Sequence, residues 1–452
     1  MGEPITCFKA YDVRGRVPDD LNPGTAHRIG QAFAEELGAR HVAVGRDVRL
    51  TSPELLEALA AGLEAGGAKA HDLGLCGTET VYFATFHYGL DGGVMVTASH
   101  NPMDYNGLKL VREEARPISG DSGLAAIQER ANAIEAPATF SARPEPLDAR
   151  ADYVEHLLGY LDSPDRLRPL RIVTDPGNGG AGPVLDALAP HLPFELIRIH
   201  HEPDGRFPNG IPNPLLPENR DATAAAVREH GADLGVAWDG DYDRCFLFTE
   251  DGAFVEGYYL IGLLAQSFLR KQPGERIIHD PRLTWNTIET VKNGGGTPVQ
   301  SKTGHAFMKE SMRREDAVYG AEMSGHHFFR RFGYCDSGMI PWLLAAELMS
   351  QEGKSLSRLV GEQQAAYPCS GEINFEVRDP HAVMETVVGA YRGEDPEVDR
   401  TDGVSVEFAG WRFNLRPSNT EPLLRLNVET RADPDLLREK TEELGLLIRA
   451  NA

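Results

Sequence analysis

Aspartates 239, 241 and 243 alternate with Gly240 and Tyr242 in a short run that ends at Arg244. Apolar stretches flank it, Val236–Trp238 on one side and Cys245–Phe248 on the other. A solvated acidic turn would not need such flanks, so the run reads as a loop held in a core at both ends. Three carboxylates at every second position come within reach of one point, and they repel each other unless a cation sits among them. An all-oxygen donor set suits Mg²⁺ or Ca²⁺. An EF-hand register puts Asp239 and Glu250 at loop positions 1 and 12, but Arg244 then replaces the required glycine, and the flanks read as strands rather than helices. The chain must therefore fold around buried strands that carry polar loops at their ends.

The rest of the sequence supplies that scaffold. At ~150 residues per domain, 452 residues make about three domains, and a 41% hydrophobic content is enough for several cores. In residues 1–149, His41–Val44 and Gly93–Val96 read as short strands. A helix starts near Pro53, with Thr51 or Ser52 as its cap. Residues 133–149, rich in proline and alanine, read as a linker. In residues 150–251, strands at Leu170–Val173, Phe194–Ile199 and Leu234–Trp238 alternate with helices at Pro183–Leu192 and Ala222–His230. Residues 252–367 carry helices near Tyr258–Leu269 and Ile340–Gln351. This alternation predicts α/β domains with parallel sheets. Residues 368–452 differ, with four strands and a closing helix at Pro434–Arg449, a smaller α+β module.

Charge narrows the partners. With 45 basic against 68 acidic residues the net charge is −23, which disfavours nucleic acid and anionic membranes. An anionic substrate would need a local cationic or amide-lined site. Five scattered cysteines without metal spacing point to a reduced cytoplasm. No apolar run approaches the ~18 residues of a membrane span, and Lys9, Asp12 and Arg14 are unlike a signal peptide.

Four further loops bear chemistry-capable residues, and each also reads as a plain turn. Thr97–Pro102 follows a strand and sets Ser99 beside His100, a nucleophile arrangement in good turn sequence. Gly177–Gly182 matches G-x-G-x-x-G, with Glu202 where a ribose-binding acid would stand; a tight strand-to-helix turn is the rival reading. Gly320–His327 places Glu322 and Ser324 two apart, suited to sugar hydroxyls, near the polar Lys302–His305. Arg416–Pro422, with Arg416, Ser418, Asn419 and Thr420, has the composition of an anion nest.

Taken together, these loops resemble the α-D-phosphohexomutases, and most closely the bacterial phosphomannomutase/phosphoglucomutase branch. The resemblance spans the chain. It is carried by Phe8–Gly15, by Thr97–Pro102 continuing through Tyr105–Lys109, and by the loops at 239–244, 320–327 and 416–422. It implies four domains, three α/β with mixed or parallel sheets and a smaller α+β C-terminal one, around a central cleft. It also implies that Ser99 carries a phosphoryl group and passes it to a hexose 1-phosphate. The resulting hexose 1,6-bisphosphate, also the activator, turns end for end and returns its other phosphate, so hexose 1- and 6-phosphates of mannose and glucose interconvert. Mg²⁺ would be held by Asp239, Asp241, Asp243 and the phosphoryl group on Ser99. Arg244, Lys109 and His100 would attend the phosphoserine, with Tyr11 and Arg14 nearby. His305 and His326 would be acid–base candidates. Glu322 and Ser324 would bind the sugar, and Arg416, Ser418, Asn419 and Thr420 the idle phosphate. Arg282 stands where many relatives carry a lysine, and Met323 where a glucosamine-specific branch more often shows glutamine. The implied protein is a cytoplasmic monomer or weak dimer acting on phosphorylated hexoses. Rival readings are an NAD-dependent dehydrogenase using Gly177–Gly182, and a sugar-phosphate hydrolase or binder.

Overall fold

The computed structural model describes residues 4–162, 164–417 and 423–452. They form two compact units: residues up to Phe254 together with Gly325–Gly353, and Val255–Ser324 together with Lys354–Ala452.

The first unit contains a six-stranded sheet among the described residues, in the order Val13–Arg16, Tyr105–Arg112, Gly92–Val96, His41–Arg46, Lys69–Leu75, Glu145–Pro146. Its centre is parallel, but Tyr105–Arg112 runs antiparallel to both of its neighbours. The same occurs in a four-stranded sheet, where Cys245–Phe248 returns antiparallel beside Leu234–Trp238, while Arg171–Asp175 and Glu195–Arg198 remain parallel. Of the mixed or parallel sheets expected, these two are mixed, and loop length gives the reason. A parallel crossover needs about a dozen residues, and the links at 97–104 and 239–244 are shorter. Each of these candidate site loops is thus the connection between two antiparallel, largely buried strands.

Two local expectations also change. Thr51 precedes the helix Ser52–Ala65 but gives it no side-chain cap, and the Ser52 hydroxyl donates instead to Asp47 (2.6 Å). The stretch 133–149 is not merely a linker, because Glu145–Pro146 adds an edge strand parallel to Lys69–Leu75.

Residues 325–353 belong to the first compact unit. A hairpin, His327–Phe329 with Cys335–Asp336, leads into the helix Met339–Glu352. Buried Glu79 caps this helix, its carboxylate accepting from the backbone N–H groups of Gly338 and Met339 (2.5 and 3.3 Å). Trp238 donates to the Gly338 carbonyl (2.9 Å). A buried carboxyl group at a helix N-terminus satisfies otherwise orphaned donors.

In the second unit, Arg276–His279 runs parallel between Thr297–Gln300 and Tyr319–Ala321. A five-stranded antiparallel sheet follows in the order Cys369–Glu376, Leu423–Thr430, Trp411–Pro417, Val404–Glu407, Glu397–Asp399. Helices Pro380–Ala390 and Pro434–Ala450 pack on it, each opened by an aspartate N-cap followed by proline. No helix among the described residues is long and apolar enough to cross a membrane.

Candidate active site

Ser99 lies just beyond the buried strand Gly92–Val96, with a left-handed backbone (φ 47°). Its hydroxyl donates to Asp239 Oδ2 at 2.6 Å, and His100 Nδ1 lies 2.9 Å from the same hydroxyl oxygen. Burial, then the positive charges of Arg244 and Arg14, hold His100 well below the usual imidazole range, so this ring is neutral near pH 7.

Asp239, Asp241 and Asp243 are all buried and offer oxygens within 4.8 Å of one another. The cation that their spacing demands is partly supplied by the chain itself. Lys109, on the neighbouring Tyr105–Arg112 strand, places Nζ 2.8 Å from Asp241 and 2.5 Å from Asp243. Burial raises the Asp239 and Asp241 carboxyls, and the charge of Asp243 raises them further. Asp243 is also pushed up by burial, but Lys109, His326 and Arg244 outweigh this and hold it well below the usual range. Three carboxylates against the Lys109 ammonium and the Arg244 guanidinium, 3.8 Å from Asp239, leave one negative charge. Among the described residues nothing donates to the buried Asp241 Oδ1 and Asp243 Oδ1. Buried oxygens with a surplus of negative charge fit a divalent metal, which would reverse the upward shifts.

Arg244, at the end of the aspartate loop, donates from Nε to His326 Nε2 (3.2 Å). His326 Nε2 also lies 3.6 Å from Asp243 and 3.9 Å from Asp336. Arg14 donates to Asn101 in the serine loop (2.6 Å), and Tyr11 is half-buried. One unit thus gathers Ser99, His100, Lys109, the three aspartates, Arg244, His326 and Arg14.

The second unit holds a different set. Arg282 is buried, forked onto Asp280 Oδ2 from Nε and Nη2 (3.1 and 2.6 Å), and reaches Glu372 at 3.4 Å. Arg416 and Arg425 approach the same Glu372 at 3.6 and 3.3 Å. Three guanidiniums against the carboxylates of Asp280 and Glu372 leave one positive charge, a local cationic cluster in an acidic protein. Burial, then the charge of Arg282, pulls Arg416 down, and its Nε has no hydrogen-bond partner among the described residues. Buried Glu322 accepts from the Gly304 N–H (2.6 Å), just before His305 opens the helix His305–Glu315. Ser324 and His305 are half-buried. Ser418, Asn419 and Thr420 lie outside the described residues.

Gly177–Gly182 packs against the aspartate loop and has the geometry of a structural turn rather than of a dinucleotide cradle. Gly177 has φ +58°, Gly180 N–H donates to the Gly240 carbonyl (3.1 Å), and a Cβ on Gly179 would fall 2.7 Å from that oxygen. The Glu202 backbone carbonyl accepts from Asn178 (2.9 Å). These glycines let two backbones touch.

Sequence reasoning passed over Asp47, Arg49, Thr78, Asp336, Glu372 and Arg425. Asp47 and Arg49 follow the strand His41–Arg46, so the strand-end rule that singled out Ser99 applied to them as well. Thr78 donates to Asp241 and carried no comparable signal.

Comparison with known proteins identifies the family and the fold. Residues 6–138, 151–252, 256–367 and 372–445 match the phosphoglucomutase/phosphomannomutase α/β/α domains I, II and III and the C-terminal domain, respectively. The chain belongs to the phosphoglucomutase/phosphomannomutase family. It is 62% identical over 448 residues to a Xanthomonas campestris protein named for phosphohexose mutases, covering 98% of this chain and 99% of that one. It is 57% identical over 454 residues to a Salmonella montevideo phosphomannomutase, covering 99% of each. A crystal structure of a family protein from Burkholderia thailandensis is 33% identical, with a TM-score of 0.87 over 98% of this chain and 97% of that one. The protein is a phosphohexomutase, an intramolecular phosphotransferase, and the dehydrogenase reading falls.

Proposed function

We propose that this phosphohexomutase interconverts the 1- and 6-phosphates of mannose and of glucose through a phosphoserine at Ser99 and a hexose 1,6-bisphosphate. The observation that carries the reading is Ser99 Oγ at 2.6 Å from Asp239 in a buried triad that keeps a negative charge after Lys109 and Arg244 are counted. Asp239, Asp241 and Asp243 would hold Mg²⁺, which when bound supplies charge neutralisation for the phosphoryl group in flight. In the forward step the bond from phosphorus to Ser99 Oγ breaks, Oγ takes a proton from the Asp239 carboxyl, and a bond from phosphorus to a sugar hydroxyl oxygen forms. The hydroxyl proton goes to a base. His326 is the candidate, and its Nε2, which accepts from Arg244 (3.2 Å), must exchange that hydrogen bond for the sugar hydroxyl to take the proton. In the return step these proton movements reverse: Ser99 Oγ attacks the other phosphate of the bisphosphate and yields its proton to Asp239, which already accepts it, and the base gives its proton to the leaving sugar oxygen. Lys109 stays fixed between Asp241 and Asp243, and neutral His100 orients Oγ.

Roles in the second unit follow from its charges. Arg282 and Arg416, with the loop at 418–420, would hold the idle phosphate, and Glu322 with Ser324 the sugar hydroxyls, with His305 as a second acid–base candidate. The functional division is then 1–149 for the serine, 150–251 for the metal, 252–367 for the sugar and 368–452 for the phosphate. Five free cysteines support a reducing cytoplasm, and a net charge of −23 supports small phosphorylated hexoses over nucleic acid as partners. A monomer or weak dimer is the assembly that goes with this reading.

Exchange of the C1 and C6 ends by a half-turn leaves the C3 and C4 hydroxyls in roughly each other's places. One loop, Glu322 to Ser324, can then hold that edge in both orientations, whereas a contact to C2 would serve only one. Mannose and glucose differ at C2, so their kcat/KM values should agree within about 100-fold, the scale of weak discrimination. Initial rates for both 1-phosphates, with Mg²⁺ and catalytic bisphosphate, test this. A ratio above about 10⁴ would mean that a dedicated group reads C2, and phosphate release without isomerisation would indicate a hydrolase.

Arg416→Ala should weaken hexose 1-phosphate binding by roughly 1.5–3 kcal/mol, the range of a charge-assisted pair. The fraction of Ser99 that accepts phosphate should not change. Titration calorimetry measures the first and intact mass the second. Unchanged affinity would remove Arg416 from the site.

A further inference from the structure

The serine loop is held by a residue outside the reaction scheme. Arg49 lies beyond the strand His41–Arg46 and is 2% exposed. Its Nη1 donates to the carbonyls of Pro102 (2.7 Å) and Tyr105 (3.0 Å). Its Nη2 donates to those of Ser99 (3.0 Å) and Asn101 (2.5 Å). One guanidinium thus gathers four carbonyls from a single turn of chain. Asp47, also 2% exposed, is its counter-ion at 3.4 Å. Asp47 accepts as well from the Ala98 N–H (3.3 Å), the Arg49 N–H (3.0 Å) and the Ser52 hydroxyl (2.6 Å). Ser52 in turn accepts from Asn106 on the strand that follows the loop (2.9 Å). The pair grips the loop on both sides of Ser99.

This grip matters because Ser99 is in the left-handed region, φ 47°, where a residue with a side chain stays only if its surroundings hold it. The Ser99 carbonyl also abuts the metal loop, since a Cβ on Gly240 would fall 2.6 Å from that oxygen. The same carbonyl is therefore fixed by Arg49 and packed against the backbone between Asp239 and Asp241. A shift of the carbonyl would move Oγ relative to both carboxylates.

We propose that Arg49, with Asp47 as its counter-ion, is a positioning residue that locks the Ser99 backbone and so sets Oγ against the aspartate loop. The proposal rests on Ser99 as the phosphoryl carrier. A lysine cannot replace the arginine, because a single ammonium with three donors lacks the planar fork that reaches four carbonyls.

The test compares wild type with Arg49→Lys and Arg49→Ala in steady-state mutase assays, with thermal melting and intact-mass measurement of Ser99 phosphate. Arg49→Lys should lower kcat by about 100-fold or more, the effect of roughly 1 Å of misplacement. KM should stay within about 3-fold, because the second unit's arginines are untouched. Guanidinium salt, far below denaturing concentration, should restore part of the kcat of Arg49→Ala and none of that of Arg49→Lys, whose side chain fills the space. A kcat for Arg49→Lys close to that of wild type overturns the proposal. So does a loss that guanidinium never rescues and that matches the unfolded fraction in melting, since that is a purely structural effect. If Arg49→Ala does not fold, Arg49→Lys decides alone by its split between kcat and KM. Turnover surviving in Ser99→Ala would instead defeat the phosphoserine reading itself.

Discussion

Ser99→Ala should abolish phosphoryl transfer while hexose phosphate still binds. The substitution removes the oxygen placed 2.6 Å from Asp239 and 2.9 Å from His100. Losing a covalent nucleophile costs several orders of magnitude, in measured cases about 10⁶ in kcat. Alanine is smaller and the loop's backbone contacts run through carbonyls and N–H groups, so the fold should survive. Arg282, Arg416 and Arg425 make their contacts inside the other unit and are unaffected. Incubation with bisphosphate should add one phosphate to wild type and none to the variant by intact mass, and calorimetry should find similar substrate affinity in both. Near-normal turnover would sink the assignment of Ser99.

The second large effect is expected from Asp241→Asn, in metal binding and turnover. Asp241 is fully buried, one oxygen is taken by Lys109 and Thr78, and the other accepts no hydrogen bond. That free oxygen is what a divalent cation would take. Groups that merely support metal ligands are worth 10–100-fold in affinity or activity, so losing a ligand's charge should cost at least about 100-fold. From the sequence alone, deleting one of three like charges should also stabilise the metal-free protein. The structure reduces that expectation, because Lys109 already pairs with Asp241 and Asp243 and the variant weakens this pairing while it relieves the repulsion. The cleaner observable is the melting-temperature gain on adding Mg²⁺, since a ligand at about 100 times its Kd stabilises the folded state by about 2.7 kcal/mol. Wild type should show the gain and Asp241→Asn should lose most of it. Equal gains would place the cation elsewhere.

How much of this was legible in the sequence depended on distance along the chain. The serine loop and the aspartate loop are continuous in sequence and bounded by short apolar runs. Residue type and spacing therefore exposed Ser99, His100 and the three aspartates. The aspartate spacing also required a cation. Which cation was not legible, because Lys109 reaches the triad through the register that sets Lys109 opposite Met95, more than a hundred residues before Asp239. Arg416 was readable as part of a cationic loop, but its convergence with Arg282 and Arg425 on Glu372 joins strands and loops far apart in sequence. The glycine run at 177–182 has the local pattern of a phosphate cradle, and only its close approach to Gly240 shows what the glycines are for.

The sequence by itself determined the chemistry on offer: strand ends bearing a serine, an acidic triad and an arginine cluster, in an order that the phosphohexomutases share. Tertiary structure decided which side chains complete those sites. It made the strands after both key loops antiparallel, tied residues 325–353 to the first unit through Glu79, and placed Arg49 under the serine loop. The physical reason is that a loop's donors and acceptors are local, whereas the counter-charges that make buried groups tolerable arrive through sheet register and helix docking, which no short window of sequence contains.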